Sequence, residues 1–303
     1  MEKIKGIIPP MITPLLDNNT VDYEGARKIA DNMIASGVSA IFLLGTTGEA
    51  QSIAMHLRYE FVENMCRYIN GRVPVLVAVS ETSMEDSLNL AAHAKKCGAN
   101  AVVAAAPYYF PANQMELIDW FTFLADHSPL PVYLYNMPSK VKVSINTETV
   151  KYLSAHPNII GIKDSSGNLD YFRELISLFK NSDFAIYMGP EELTAQMVFD
   201  GADGGVNGGA NLYPELFVEM FKAAEAKDAE RTRILQDKIM YLSDNLYCIA
   251  KDSDASFLKG IKSALSVKGV CSGYVAYPYK AFKNEELEIV REIVNNLESR
   301  NYR

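Results

Sequence analysis

Basic charge, cysteine, histidine and long apolar runs are all scarce in this 303-residue chain. Lys and Arg number 29 against 37 Asp and Glu, a formal net charge of −8. Nucleic acids and anionic membranes are bound through clustered Lys and Arg, so the balance argues against both as partners. Any acidic ligand must be held by a local site. The four cysteines, Cys66, Cys97, Cys248 and Cys271, contain no C-x-x-C pair. Neither a zinc knot nor a disulfide framework is predicted, and a reducing cytoplasm is the expected location. No stretch approaches the roughly 20 apolar residues of a membrane span. The run Gly6-Ile7-Ile8-Pro9-Pro10 is too short and too proline-broken for a signal peptide. His56, His93, His127 and His156 form no H-x-H or H-E-x-x-H pattern, which disfavours a metal-dependent aldolase or hydrolase. Nucleotide-phosphate loops of the G-x-x-x-x-G-K-[ST] type and G-x-S-x-G nucleophile elbows are missing too.

What is present is the ordinary composition of a globular protein, 49% hydrophobic and 22% charged, at a length that suits one large α/β barrel with an appendage. A phrase in which a helix ends at glycine and a short apolar strand follows recurs at Gly37, Gly98 and Gly201. The intervals fit two and four helix–strand units of about 25 to 30 residues each. Filling the gaps predicts eight strands, near 6–12, 39–44, 74–79, 100–106, 131–136, 159–163, 184–188 and 203–207. Asp22 is predicted to cap the first helix, and Ser83-Met84-Glu85-Asp86 resembles a capping box opening the third, which Gly98 closes. Eight strands alternating with eight helices, the strands apolar on successive residues, predict a TIM (β/α)8 barrel over residues 1–225. An open doubly wound sheet is the alternative, weakened because no G-x-G-x-x-G follows the first strand. Residues 226–303 are predicted to form a helical extension, with apolar stripes at Leu235, Ile239, Leu242, Leu246 and Ile249 and at Leu287, Val290, Val294 and Leu297.

In such a barrel the site lies at the C-terminal ends of the strands, so the informative residues directly follow each apolar run. They are Gly45-Thr46-Thr47-Gly48-Glu49, Pro107-Tyr108-Tyr109, Tyr135-Asn136-Met137-Pro138, Lys163-Asp164-Ser165, Gly189-Pro190-Glu191-Glu192 and Val206-Asn207-Gly208-Gly209. Lys163 is the sharpest. Alternation puts it on the face of Gly161, whose missing side chain would leave room above it in the barrel. Burial there would favour a neutral amine able to attack a carbonyl carbon. The position also suits a strand-end lysine that reaches solvent or pairs with Asp164. Tyr135, on the neighbouring strand, is a candidate proton carrier or a core aromatic. The Gly45-Thr46-Thr47-Gly48 turn can aim amides and hydroxyls at an anion, or be a tight turn and nothing more.

Three of these segments, G-T-T-G-E at 45–49, Y-N-M-P at 135–138 and G-I-K-D at 161–164, resemble in order and spacing the dihydrodipicolinate synthase / N-acetylneuraminate lyase family of pyruvate-dependent class I aldolases. The resemblance runs from Gly6 through the helical extension. It implies that Lys163 forms a Schiff base with the keto carbon of pyruvate or a 2-keto acid, with no cofactor and no metal. It implies that Tyr135 shuttles protons in a relay with Thr47 and with Tyr109 reaching over from an adjoining subunit. Thr46 and Thr47 amides would hold the carboxylate, and Val206 would line the pyruvate pocket. A homotetramer, a dimer of dimers, is the implied assembly.

Within the family the substrate is read from departures. The synthase pattern resembles Y-N-x-P-x-R-T-G, whereas this chain has Ser139-Lys140-Val141-Lys142, and lysine is a point charge that cannot repeat a bidentate arginine clamp. Met55 and Arg58 stand where feedback-inhibited synthases commonly carry histidines. In the lyase branch paired acids bind substrate hydroxyls, and Gly189, Glu191 and Glu192 approximate them, with Ser165 at a hydroxyl position used for the sugar chain. Asn207 and Lys140 depart from the sialic acid lyases, and acids in a first helical turn also simply complement its dipole. The expected activity is cleavage of a 2-keto-3-deoxy sugar acid or N-acetylneuraminate. The alternatives are condensation of pyruvate with aspartate semialdehyde and a keto-acid-binding barrel without catalysis.

Overall fold

The computed structural model describes residues 1–250 and 253–299. The predicted extension's residues 251–252 and 300–303 lie outside the described residues. Eight parallel strands follow in chain order: β1 Gly6–Ile7, β2 Ile41–Leu43, β3 Val75–Ala78, β4 Ala101–Ala105, β5 Val132–Asn136, β6 Ile159–Asp164, β7 Ala185–Met188 and β8 Gly204–Gly205. Neighbours pair in sequence order from β2 to β8, and β8 returns to β1. Closure falls beyond Ile7, where Pro10 bridges Phe42, the Phe42 N–H donates to the Pro9 carbonyl at 3.0 Å and the Met11 N–H to the Phe42 carbonyl at 2.8 Å. The fold is a TIM barrel. Its first strand is shorter than the predicted 6–12 because Pro9 and Pro10 have no N–H to give the ladder.

Helix starts follow local chemistry. The Asp22 side chain accepts from the Gly25 N–H and opens α1, Tyr23–Ala35. Ser83 accepts from the Asp86 N–H and opens the Met84–Cys97 helix, which Gly98 ends at φ 92, a left-handed conformation that favours glycine. Asn113 and Glu116 form a complete reciprocal capping box before the Gln114–His127 helix, each such cap being worth about 1 kcal/mol.

The barrel interior is packed. Ile8, Phe42, Leu76, Val103, Tyr133, Tyr187 and Val206 surround the Lys163 stem, leaving about 10 Å³ of free space. The space expected above Gly161 is filled by the ring of Tyr133, which a Cβ at Gly161 would meet at 2.6 Å. Two further barrel-covering helices matter for the site, Glu191–Asp200 after β7 and Pro214–Glu225 after β8.

Beyond them run helices Ala229–Tyr241, a π turn Leu242–Leu246, Ser256–Val267 and Glu285–Ser299. Leu235, Ile239, Leu242, Leu246, Val290 and Val294 are buried, so both predicted stripes are core faces, flanked by the partly buried Ile249, Leu287 and Leu297. The extension returns to the barrel mouth. Tyr274 bridges Leu15, and the Ser272 N–H donates to Asp22 Oδ2 at 2.9 Å. Among the described residues no helix is long and apolar enough to cross a membrane.

Candidate active site

Strand register brings the two sharpest candidates together. In the β5–β6 ladder Tyr135 lies beside Lys163 and Asn136 beside Asp164. Side chains alternate along a strand, so the first pair faces into the barrel and the second faces out. Lys163 is 7% exposed, and its Nζ stands 4.1 Å from the centre of the Tyr135 ring and 5.7 Å from that of Phe42. The outward pair forms a brace. Asn136 Nδ2 donates to Asp164 Oδ1 at 2.7 Å, Asn136 Oδ1 accepts from the Ile145 N–H, and Asp164 accepts from the Ser166 hydroxyl and N–H. Asp164 is therefore not the partner of Lys163. The sequence offers Asp164 only as a partner for Lys163 and Asn136 only as a strand-end residue, and the brace they form together follows from the register of the two strands.

Burial pushes the Tyr135 phenol up, but the Lys163 charge and hydrogen bonds with Thr46, Ser165 and Lys163 outweigh it, and the net direction is down. A phenol of lowered pKa passes protons more readily near neutral pH. The Thr46 Oγ1 lies 3.4 Å from the Tyr135 hydroxyl. This contact belongs to Thr46, whereas the sequence reading gave the relay to Thr47. Residues 46–48 form a single 3₁₀ turn, which turns successive side chains by about 120° and lets only one of the two face Tyr135.

Above this cluster opens a pocket of about 390 Å³. Thr46, Thr47 and Tyr135 line its base, and Gln51, Ser52, Ser80 and Tyr108 add polar groups. Lys140 reaches it and pairs with Asp254 at 2.9 Å. Asp254, Phe257, Leu258 and Tyr279, all from the helical extension, complete the wall. Those four lie far from any barrel strand end in sequence.

The remaining candidates are distributed differently. Val206 packs with Lys163 in the barrel interior. Ser165 approaches Gly189 so closely that a Cβ there would lie 2.0 Å from the serine Oγ. Asn207 is fully buried, its Nδ2 donating to Thr194 Oγ1 at 2.8 Å and to the Gly189 carbonyl at 3.2 Å. Glu191 and Glu192 do not line the pocket. Glu191 accepts from the Tyr247 hydroxyl at 2.5 Å and the Gly209 N–H at 2.9 Å, and Glu192 accepts from the Ser243 hydroxyl. Both acids face the extension because Gln236 binds their backbone carbonyls and fixes the helix start against it. Tyr109 is 85% exposed, with φ 85, edge-on to Phe110. It stays outside the pocket of its own chain. No group of three or more His, Cys, Asp or Glu is gathered as a metal site would require, among the described residues.

Known proteins share this fold and much of this sequence. A model of the dihydrodipicolinate synthetase family matches residues 3–297. The chain superimposes on the structure of dihydrodipicolinate synthase from Bacteroides thetaiotaomicron with a TM-score of 0.95 at 45% identity, covering 98% of this chain and 99% of that one. It superimposes on the chloride inhibited dihydrodipicolinate synthase from Acinetobacter baumannii complexed with pyruvate with a TM-score of 0.89 at 29% identity, over 97% and 99% of the two chains. The Escherichia coli K12 protein named "Probable 2-dehydro-3-deoxy-D-pentonate aldolase" is 33% identical over 80% of this chain and 81% of its own. With a TIM barrel and a family match over nearly its whole length, the chain belongs to the dihydrodipicolinate synthetase family and is a pyruvate-dependent lyase or synthase of the class I aldolase type.

Proposed function

We propose that the protein cleaves a 2-keto-3-deoxy sugar acid to pyruvate and an aldehyde, through an imine at Lys163. The observation that carries the chemistry is the Lys163 Nζ, buried in the packed barrel interior and set 4.1 Å from the centre of the ring of Tyr135, which lines the pocket. The amine adds to the C2 carbonyl of the keto acid, and loss of water leaves a C=N bond. A base then takes the proton of the C4 hydroxyl, the C3–C4 bond breaks, and its electron pair is drawn toward the imine nitrogen. This gives an enamine and a free aldehyde. Protonation of C3 and addition of water release pyruvate and regenerate the amine. Tyr135 carries the protons, with Thr46 beside it as relay, and the Thr46 and Thr47 amides face the carboxylate.

The substrate reading rests on the pocket wall. Ser52, Ser80, Gln51, Tyr108 and Tyr279 suit the hydroxyls of a sugar chain. Glu191 and Glu192 are engaged by Tyr247 and Ser243 and offer such a substrate no acceptors. Condensation of pyruvate with aspartate semialdehyde is the second reading, favoured by the Lys140 ammonium at the mouth, which could meet a second carboxylate. A panel of 2-keto-3-deoxy sugar acids, N-acetylneuraminate, 4-hydroxy-2-oxoglutarate and aspartate semialdehyde with pyruvate decides between them. Pyruvate release from a sugar acid supports the first reading. Turnover restricted to the semialdehyde replaces it with the second.

The same proposal includes a homotetramer built of dimers in which Tyr109 enters a neighbour's site. An aromatic residue 85% exposed and held at φ 85, a conformation that costs free energy, supports it. The four cysteines are all free, which fits a cytoplasmic location.

A further inference from the structure

Glu49 ends the G-T-T-G-E turn in a left-handed conformation, φ 56, and its N–H donates to the Thr46 carbonyl at 3.1 Å. Such a backbone costs free energy in a residue with a side chain and persists where the surroundings over-determine it. Here the side chain does so. It is 2% exposed, and its Oε2 pairs with the Nζ of Lys262, whose side chain is 0% exposed. Oε1 accepts from the Ala276 N–H at 2.7 Å, and Lys262 Nζ donates to the Tyr274 carbonyl at 2.9 Å.

Three walls of the pocket meet at this pair. Thr46, Thr47 and Glu49 come from the turn, Phe257 and Leu258 from the first turn of the Ser256–Val267 helix that carries Lys262, and Tyr279 from the segment after Ala276. A buried ion pair is a poor source of stability, because desolvation offsets most of the attraction and apolar residues of like volume often serve as well. What it does supply is a single geometry, since either charge left alone is heavily penalised. Burial pushes the Lys262 ammonium down, and the Glu49 carboxylate opposes that shift.

We propose that Glu49 and Lys262 are positioning residues of the aldolase reaction: their ion pair ties the helical extension to the 46–48 turn and so aims the Thr46 hydroxyl at Tyr135. This rests on the Lys163 reading. The test uses the exchange of pyruvate methyl protons in D2O, followed by NMR, which reports the enamine without any aldehyde. The unaltered protein is measured first, and absence of exchange there sinks the Lys163 reading and this proposal with it, whereas exchange in the unaltered protein lets the variants test the ion pair alone. Given exchange, Glu49→Gln and Lys262→Met, each measured well below its melting temperature, are expected to lower kcat for exchange at least about tenfold while KM for pyruvate moves less than about threefold. Lys3→Met, which removes an ion pair with Asp203 away from the pocket, is expected to leave both constants unchanged. A merely structural pair would lower only the melting temperature. A folded variant with kcat within twofold of the unaltered protein overturns the proposal, as does failure of both variants to fold.

Discussion

The Glu191 carboxyl and the Tyr247 hydroxyl share a 2.5 Å hydrogen bond in the interior, where the sequence suggested a substrate-facing acid. The consequence is a pH-dependent joint. Burial pushes the Glu191 carboxyl up to about 7, further raised by Glu192 and opposed by hydrogen bonds from Tyr247 and from the Gly208 and Gly209 amides. Tyr247 in turn packs edge-on against Phe257 of the pocket wall.

An acid whose folded pKa lies above its unfolded value favours folding below the unfolded value, and that stability is lost as pH rises through the folded one. From 4.5 to about 7, the loss is on the order of 3 kcal/mol. Melting temperatures measured from pH 4.5 to 8 should fall with rising pH in the unaltered protein and fall less in Glu191→Gln. Identical slopes would remove Glu191 as the titrating group. The same variant should leave KM for the keto acid within about twofold, whereas an acid that binds substrate would raise it more.

Tyr135→Phe removes the phenol and keeps the ring over Lys163. Loss of a proton carrier typically costs 10²- to 10⁴-fold in kcat. Steady-state kinetics should show a fall in that range, with the circular dichroism spectrum unchanged. Thr46→Val should lose more turnover than Thr47→Val, because only Thr46 has its hydroxyl at 3.4 Å from that of Tyr135. The opposite ranking would restore the relay to Thr47.

Lys140 and Asp254 form an exposed ion pair at the mouth, and exposed pairs contribute little to stability. Lys140→Ala is expected to leave the melting temperature unchanged and to raise KM for a carboxylate- or hydroxyl-bearing substrate about tenfold. An unchanged KM across the substrate panel would take Lys140 out of the binding site.

Tyr109→Phe should lose turnover about tenfold or more while keeping the fold, if the residue completes a neighbour's site. Analytical ultracentrifugation alongside the assay checks the assembly. Full activity in a verified monomer contradicts it.

The eight strands were legible because each is a short apolar run bounded by glycine or proline. Helix starts at Asp22 and Ser83 were legible because capping is local chemistry. That Lys163 and Tyr135 lie side by side was legible from their strand ends, since barrel geometry sends those positions to one mouth, while their roles came from the family resemblance. The Thr46/Thr47 choice depended on the phase of a three-residue turn, which spacing does not encode. The orientation of Glu191 depended on Tyr247, 56 residues away in sequence. The outer pocket wall depended on how the extension folds back, a tertiary fact that amphipathic stripes in two helices leave open. Glu49 was read as the end of a motif, and its partner Lys262 lies within a helix whose pattern marks that position only as a basic residue.

The most direct test of the central claim is borohydride reduction in the presence of pyruvate followed by peptide mass spectrometry. The account predicts one added pyruvate-derived group per chain, on the peptide containing Lys163, and none in Lys163→Ala. Labelling elsewhere, or turnover retained by Lys163→Ala, would contradict it.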